Sequence, residues 1–307
     1  MRVVIALGGN ALLRRGETPT YENQRRNIHI AMEALAPLAR LHELVITHGN
    51  GPQVGLLAMQ NAAAQPLEGY PLDVLDAETE GMIGYLIEQE LNNVLSSHRM
   101  CATLLTQIEV DANDPAFHTP TKPIGPAYAK AVAERLAQEQ GWSIAMDGVH
   151  YRRVVASPRP QKILQIDVIK LLVARDVVVI CTGGGGIPVV RDKRGHLHGI
   201  EAVIDKDLAS ALLARELGAD VSMMLTDVDA VYQDWGTPEA CALRSISPAA
   251  ARQMTFAQGS MAPKMAAACE FAEKSGGAAC VGQLKDAAAI LAGTAGTRIT
   301  ADREGVK

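Results

Sequence analysis

Apolar residues follow two rhythms along this chain. Short, nearly unbroken runs recur at residues 3–7, 43–47, 103–110, 177–181 and 222–226, with a brief one at 279–281. Between them the apolar positions fall three or four apart. Across residues 21–41, Ile28, Met32 and Leu35 share one face; across 74–96 the set is Ile83, Leu86, Ile87, Leu91, Val94 and Leu95. The first rhythm predicts strands buried on both faces, and the second predicts amphipathic helices, with a further helix over 52–64. Strands alternating with helices predict βαβ units and a mostly parallel central sheet with helices on both sides.

Residues 111–165 break this rhythm. They open with Asp111, Asn113, Asp114 and Pro115, then carry Pro120, Pro123, Pro126, Pro158 and Pro160. They hold one helical stretch near 127–140 and a β-like run from Tyr151 to Val155. An insertion this long in a compact domain is more often functional than idle. It predicts a small lobe that acts as a lid.

Composition narrows the class. With 307 residues, 48% hydrophobic but only 4% aromatic, the core must be built from Ala, Leu, Val and Ile, which suits helices layered on a parallel sheet. A net charge of −5 without a basic block argues against a nucleic-acid groove. No apolar run approaches the roughly 20 residues that span a bilayer. The five cysteines are odd in number and lack framework spacing, and the first residues read as a strand rather than a leader. Together these predict a cytoplasmic protein.

Three of the predicted strands end in glycine. Gly8, Gly9 and Asn10 follow the first; His48, Gly49, Asn50 and Gly51 follow the second; Gly183, Gly184, Gly185 and Gly186 follow the run at 177–181. Glycine lets bare backbone N–H groups approach an anion, and open α/β sheets bind ligands beyond the carboxyl ends of their strands. The turn at 48–51 leads into a helix at Pro52, whose N-terminus adds partial positive charge. Asn10 and Asn50 could add amide donors. Three such turns predict one site for several negative charges, a phosphate site. Neither the P-loop pattern nor the dinucleotide fingerprint is present, so the site is of another kind.

Three lysines stand in unusual company. Lys206 lies between Asp205 and Asp207, which would hold it charged and oriented. Lys264 follows the turn Gly259-Ser260-Met261-Ala262-Pro263, and Lys122 sits in the inserted lobe, where closure could deliver it. Phosphoryl transfer is catalysed mostly by positioning and electrostatics, work that suits ammonium groups. His196 and His198 are two apart with no evident third ligand, so no protein-held metal is expected. His48 reads as a turn histidine bonded to backbone.

These motifs resemble the carbamate kinases of the amino-acid kinase superfamily nearly end to end. The matching stretches are Ala6 to Leu12, Thr47 to Gly55, Gly81 to Tyr85, Asp114-Pro115, Thr121 to Gly125, Tyr151 to Val155, Gly183 to Pro188, Val203 to Asp207, Leu225 to Val228 and Gly259 to Lys264. The resemblance implies an open three-layer αβα sandwich, with a mostly parallel sheet and a small inserted lid lobe, forming a homodimer. Residues up to about 200 would hold the acid and those from about 201 the nucleotide. It implies that Lys122, Lys206 and Lys264 contact the transferred group or the phosphates and that Asp207 organises the lysines. It places Asp205, Thr226, Asp227, Val228, Tyr232, Met261 and Pro263 with Lys206 and Lys264 around the nucleotide. One departure stands at the expected lid base: Asp147-Gly148-Val149-His150 lacks the arginine and glycine usual there.

The implied chemistry is ATP + carbamate ⇌ ADP + carbamoyl phosphate. A carbamate oxygen is already anionic, so no general base is required, and none is evident in the sequence. Mg²⁺ would arrive with the ATP or ADP phosphates rather than on an acidic cluster. The resemblance suggests a direction towards ATP in the breakdown of arginine, agmatine or purine derivatives. The alternatives are a kinase of another small carboxylate, such as acetylglutamate or aspartate, and a catalytically weak nucleotide-binding paralogue.

Overall fold

The two rhythms of the sequence fold into an eight-stranded sheet with helices on both faces. The structure is a computed structural model that describes residues 1–14, 16–18, 20–64, 69–95, 99–257 and 260–301, and only the backbone of Asn10. The sheet runs Ser245–Ile246, Thr297–Ile299, Ala278–Gln283, Val221–Thr226, Arg2–Leu7, Glu43–His48, Val178–Cys181 and Cys101–Leu104. Every neighbouring pair is parallel except Ala278–Gln283 with Thr297–Ile299. Arg2–Leu7 lies near the centre, with Val3 between Val221 and Leu44.

Side chains along a strand alternate between faces, so a strand between two helix layers must be apolar throughout. Val3, Ile5 and Leu7 pack with Ile28, Met32 and Leu35 of the helix Tyr21–Leu41 and with Ile83, Ile87 and Leu91 of the helix Leu72–Leu95. Val4 and Ala6 face the other way. They join a core with Ile169, Leu212 and Phe271 from the helices Ile166–Val173, Lys206–Glu216 and Met261–Ser275. The three-layer sandwich is therefore present. Among the described residues, no helix is long and apolar enough to cross a membrane. The end expected for the second long helix, Ser96, lies outside the described residues.

One expected strand divides. Residues 103–110 do not form a single run. Cys101–Leu104 edges the main sheet, while Gln107–Val110 joins a four-stranded sheet with Pro160–Ile163, Ile187–Arg191 and Leu197–Gly199. The break centres on Thr106. Its N–H donates to Glu80, its hydroxyl donates to the Leu104 carbonyl, and that same oxygen accepts the N–H of Thr182. Side-chain bonds replace the ladder there, while the apolar pattern runs on through the break.

The inserted segment carries the helix Lys130–Gln140 and a three-stranded antiparallel sheet. Lys122–Tyr128 and Ser143–Asp147 flank His150–Val155. Its root is packed: Ile124 and Val155 share a small core with Val54, Leu72, Leu75 and Val203. Asp147-Gly148-Val149-His150 is the hairpin tip between two of these strands, with Val149 exposed. The departure noted in the sequence therefore sits at the lobe's tip, not at its base.

Candidate active site

Arg2–Leu7, Glu43–His48 and Val178–Cys181 are neighbours, so their three glycine turns come together at one edge of the sheet. Lys206 opens a helix beside them. Asp205 caps that helix: its Oδ1 accepts the N–H of Asp207 at 2.9 Å and of Leu208 at 3.3 Å. A side chain on Gly49 would come within 3.2 Å of Lys206 Cδ and 3.9 Å of the Gly9 nitrogen. The first two turns and the Lys206 stem thus lie in contact.

The lysines are joined through carboxylates. Asp207 accepts Lys206 Nζ on Oδ1 at 2.7 Å and Lys264 Nζ on Oδ2 at 2.9 Å. Lys122 Nζ donates to Asp205 Oδ2 at 2.6 Å. Lys122 begins the first strand of the lobe, at its root, and already sits beside the helix cap. Both carboxylates flanking Lys206 were expected to hold it; Asp207 does, and Asp205 takes Lys122 instead.

Burial and charge work against each other here. Burial pulls Lys206 down to about 8 against the attraction of Asp207. Burial also opposes charge on Lys264, but Asp207 outweighs it and the ammonium is held above its usual range. For Asp207, burial would raise the carboxyl, yet the two ammonium groups hold it far below the ordinary range. Asp205 is also lowered, because Lys122 overcomes burial.

A cleft of about 540 Å³ opens beside this cluster. Gly8, Gly9, Thr226, Asp227, Val228, Tyr232, Met261 and Lys264 line it. Pro263 lies in the same helical turn but outside the lining. The sequence reading missed Trp235, Thr255 and Phe256, which also line it. Trp235 stands edge-on to Tyr232 with ring centres 5.0 Å apart. In a chain so poor in aromatics, two of them three residues apart after a strand end were a usable signal. Arg152 reaches the cleft from the lobe. A second groove of about 570 Å³ shares Thr255 and Phe256 but contains none of Lys122, Lys206 and Lys264. Its charged groups pair with one another, Arg159 with Glu270 and Arg252 with Glu273.

The amide donors need correction. Several expected to meet an anion already donate within the protein. Gly8 N–H donates to the Leu225 carbonyl at 2.9 Å, and Gly49 N–H to the Leu7 carbonyl at 3.3 Å. Gly183 N–H donates to Glu80 Oε1 at 2.8 Å. Gly185 and Gly186 donate to Thr182 and Gly183. The Asn50 amide turns to Asp76 and Thr79. The physical reason is close packing of the strand ends. Gly185 has φ +106°, and a Cβ there would lie 2.3 Å from the Ile204 carbonyl oxygen. Gly9 and Gly51 stand in first helical turns, where an N–H has no partner within its own helix, and Gly184 has a left-handed backbone with φ +69°. The side chain of Asn10 lies outside the described residues.

His48 is buried, its Nδ1 is 3.2 Å from the Gly49 carbonyl, and burial lowers it to about 4, so it is neutral. Among the described residues no three His, Cys, Asp or Glu side chains gather as a metal site.

A fold of this kind, with a lysine–carboxylate cluster at the mouth of a nucleotide-sized cleft, defines a phosphotransferase. The chain belongs to the Amino acid kinase family, whose model matches residues 1–282. Within that family it stands with the carbamate kinases. A carbamate kinase from Haemophilus influenzae is 57% identical, covering 100% of this chain and 99% of the other. One from Rhizobium meliloti is 54% identical, covering 98% and 93%. Among solved structures, a carbamate kinase from Giardia lamblia bound to AMP-PNP matches with a TM-score of 0.89 at 41% identity, over 98% of each chain.

Proposed function

We propose that this chain transfers a phosphoryl group reversibly between ATP and carbamate, giving ADP and carbamoyl phosphate. The observation that carries the reading is Asp207 holding Lys206 and Lys264 on its two oxygens, beside Gly9 and Gly49 and at the cleft lined by Lys264. Two ammonium groups fixed in this way offset charge on the oxygens of a phosphoryl group in transfer. Lys122 adds a third cation from the lobe. Asp207 cannot serve as a general base, since both oxygens are engaged and its carboxyl is held strongly acidic. An acceptor that is already anionic, as carbamate is, needs none.

The nucleotide occupies the cleft, with the adenosine end towards Tyr232 and Trp235 and the phosphates towards Lys264. Most of the cleft comes from residues 226–261, which supports a division into an acid-binding part up to about 200 and a nucleotide-binding part beyond it. Among the described residues no three acidic, His or Cys side chains gather as a metal site, and Asp205 and Asp207 are taken up by the lysines, so Mg²⁺ would enter with the nucleotide phosphates and offset their charge. A larger dicarboxylate acceptor would want a free arginine. Arg153 lies over the Trp142 ring, 5.1 Å from its centre, and Arg152 donates to the Gly125 carbonyl and Asp147. Both arrangements favour carbamate over acetylglutamate or aspartate. Physiological flow towards ATP belongs to the same proposal.

We also read the chain as a homodimer. The edge strand Cys101–Leu104 lies beside exposed Met82, Tyr85, Met100 and Leu105, an edge that needs covering.

The test is ATP formation from ADP and carbamoyl phosphate with Mg²⁺, run beside acetyl phosphate and beside Lys206→Ala. ATP from carbamoyl phosphate, lost in the variant, is the expected result. No turnover by the wild type, with ADP still bound, overturns the reading.

A further inference from the structure

The N-terminal half of the helix Leu72–Leu95 turns three polar side chains into the protein, Asp76, Thr79 and Glu80, each no more than 1% exposed. Asp76 and Glu80 are four apart and so lie on one face. Neither forms an ion pair among the described residues. Glu80 Oε1 accepts the N–H of Gly183 at 2.8 Å, and Oε2 accepts the N–H of Thr106 at 3.1 Å. One turn earlier, Asp76 Oδ1 accepts Asn50 Nδ2 at 2.8 Å, and the same nitrogen is 2.9 Å from Thr79 Oγ1.

The partners have something in common. Asn50, Thr106 and Gly183 follow the strands Glu43–His48, Cys101–Leu104 and Val178–Cys181, which form one edge of the main sheet. A single helical turn therefore grips the carboxyl ends of three strands. Burying carboxylates without cations is costly, and burial raises both, Glu80 to about 8. A spacer would be cheaper as an apolar side chain. Two backbone N–H groups facing inward call instead for a side chain with two accepting oxygens. Glutamine offers one, and its NH₂ would face the other donor.

The grip extends to the lysines. A Cβ on Gly183 would meet the His48 ring, one on Gly184 the Asn50 amide, and one on Gly185 the Ile204 carbonyl. Ile204 directly precedes Asp205 and Lys206. A shift of this turn therefore presses on the residues that start the Lys206 helix.

We propose that Glu80, supported by Asp76, is a positioning residue for phosphoryl transfer. It fixes the turn at Gly183 to Gly186, and through Ile204 it fixes Lys206 against Gly9 and Gly49, on the side where the acid substrate lies. This rests on the carbamate kinase reading of the same site.

The test compares wild type with Glu80→Gln in steady-state ATP formation, with ADP affinity measured directly by calorimetry. A misplacement of about 1 Å can cost on the order of 100-fold, so kcat/KM for carbamoyl phosphate should fall by about 30-fold or more. The Kd for ADP should stay within about twofold, because the cleft is built from other elements; a merely structural lesion would weaken both. Near-normal kcat/KM for carbamoyl phosphate, or an equal loss of ADP affinity, overturns the proposal. If Glu80→Gln does not fold, Glu80→Asp replaces it, keeping two accepting oxygens but drawing them back from the N–H groups of Gly183 and Thr106. A selective fall of about fivefold or more then supports the proposal, and an unchanged constant overturns it. A wild type that binds ADP but makes no ATP overturns the carbamate reading and this proposal with it. A fully active wild type with an indifferent variant overturns this proposal alone.

Discussion

Lys122 and Asp205 meet at 2.6 Å across 83 positions of sequence, tying the root of the inserted lobe to the cap of the helix that carries Lys206. Asp205 uses its other oxygen for the cap, so one carboxylate fixes both the helix start and the lobe lysine. The lobe therefore holds its cation beside the helix that carries Lys206.

The two duties of this pair can be separated. Lys122→Met keeps the stem and removes the charge. It should cost only about 1 kcal/mol of stability, the scale of a partly exposed ion pair, because the cap survives. Turnover should fall by about 100-fold or more, as when one donor to a developing oxyanion is removed. Thermal melts beside kcat for ATP formation check this. A variant with normal kcat would make Lys122 a structural clasp.

Asp207 should be the most sensitive residue of the cluster. Asp207→Asn leaves two buried ammonium groups against a neutral amide. Breaking a buried pair in this way costs about 3–5 kcal/mol. Urea unfolding should show a loss of that size, with activity lost as well. Little change in stability would mean that Lys206 and Lys264 find other partners.

Lys206 gives a pH signature. Burial lowers it to about 8, so it loses its charge as pH rises through that value. In the free enzyme, kcat/KM for carbamoyl phosphate should fall above about pH 8 if the charge meets the transferred phosphoryl group. Stability moves the other way. Between about 8 and the usual lysine range near 10.4, the unfolded chain holds a proton that the folded chain has released, so stability from this group rises with pH. Lys206→Arg stays charged throughout and should lack the alkaline limb at a lower overall rate. An identical limb in the variant would assign it to another group.

Much of the fold was legible because strands buried on both faces read as plain apolar runs, as residues 3–7 do. The division within 103–110 was not, because Thr106 takes its partners from Glu80 and Thr182, 26 and 76 residues away. The same holds at the site. Asp-Lys-Asp marks Lys206 locally, but nothing local says that Asp205 turns to Lys122 while Asp207 turns to Lys264. The glycine turns lie together because the strands they follow are parallel neighbours. Their N–H groups find acceptors that the local sequence does not show, since the Leu225 and Leu7 carbonyls belong to neighbouring strands. Asp76 and Glu80 did leave a trace: polar residues two turns and one turn ahead of Ile83, in line with the apolar positions Ile83 and Ile87.

The glycine turn at 183–186 allows contact to be separated from backbone strain. Gly185 has φ +106°, and a Cβ there would lie 2.3 Å from the Ile204 carbonyl oxygen, a backbone atom that cannot rotate away. Gly148, at the lobe's tip, has φ +65° with nothing within 4 Å of the same position. Alanine at Gly148 should cost about 1 kcal/mol, the price of a left-handed backbone alone. Alanine at Gly185 adds a clash that must push Ile204 and with it the start of the Lys206 helix. It should cost about 3 kcal/mol or more and lower turnover further than stability loss accounts for, whereas Gly148→Ala leaves turnover intact. Urea unfolding and kcat for both variants decide the matter. Equal losses would mean that backbone conformation, and not packing against Ile204, keeps glycine at 185.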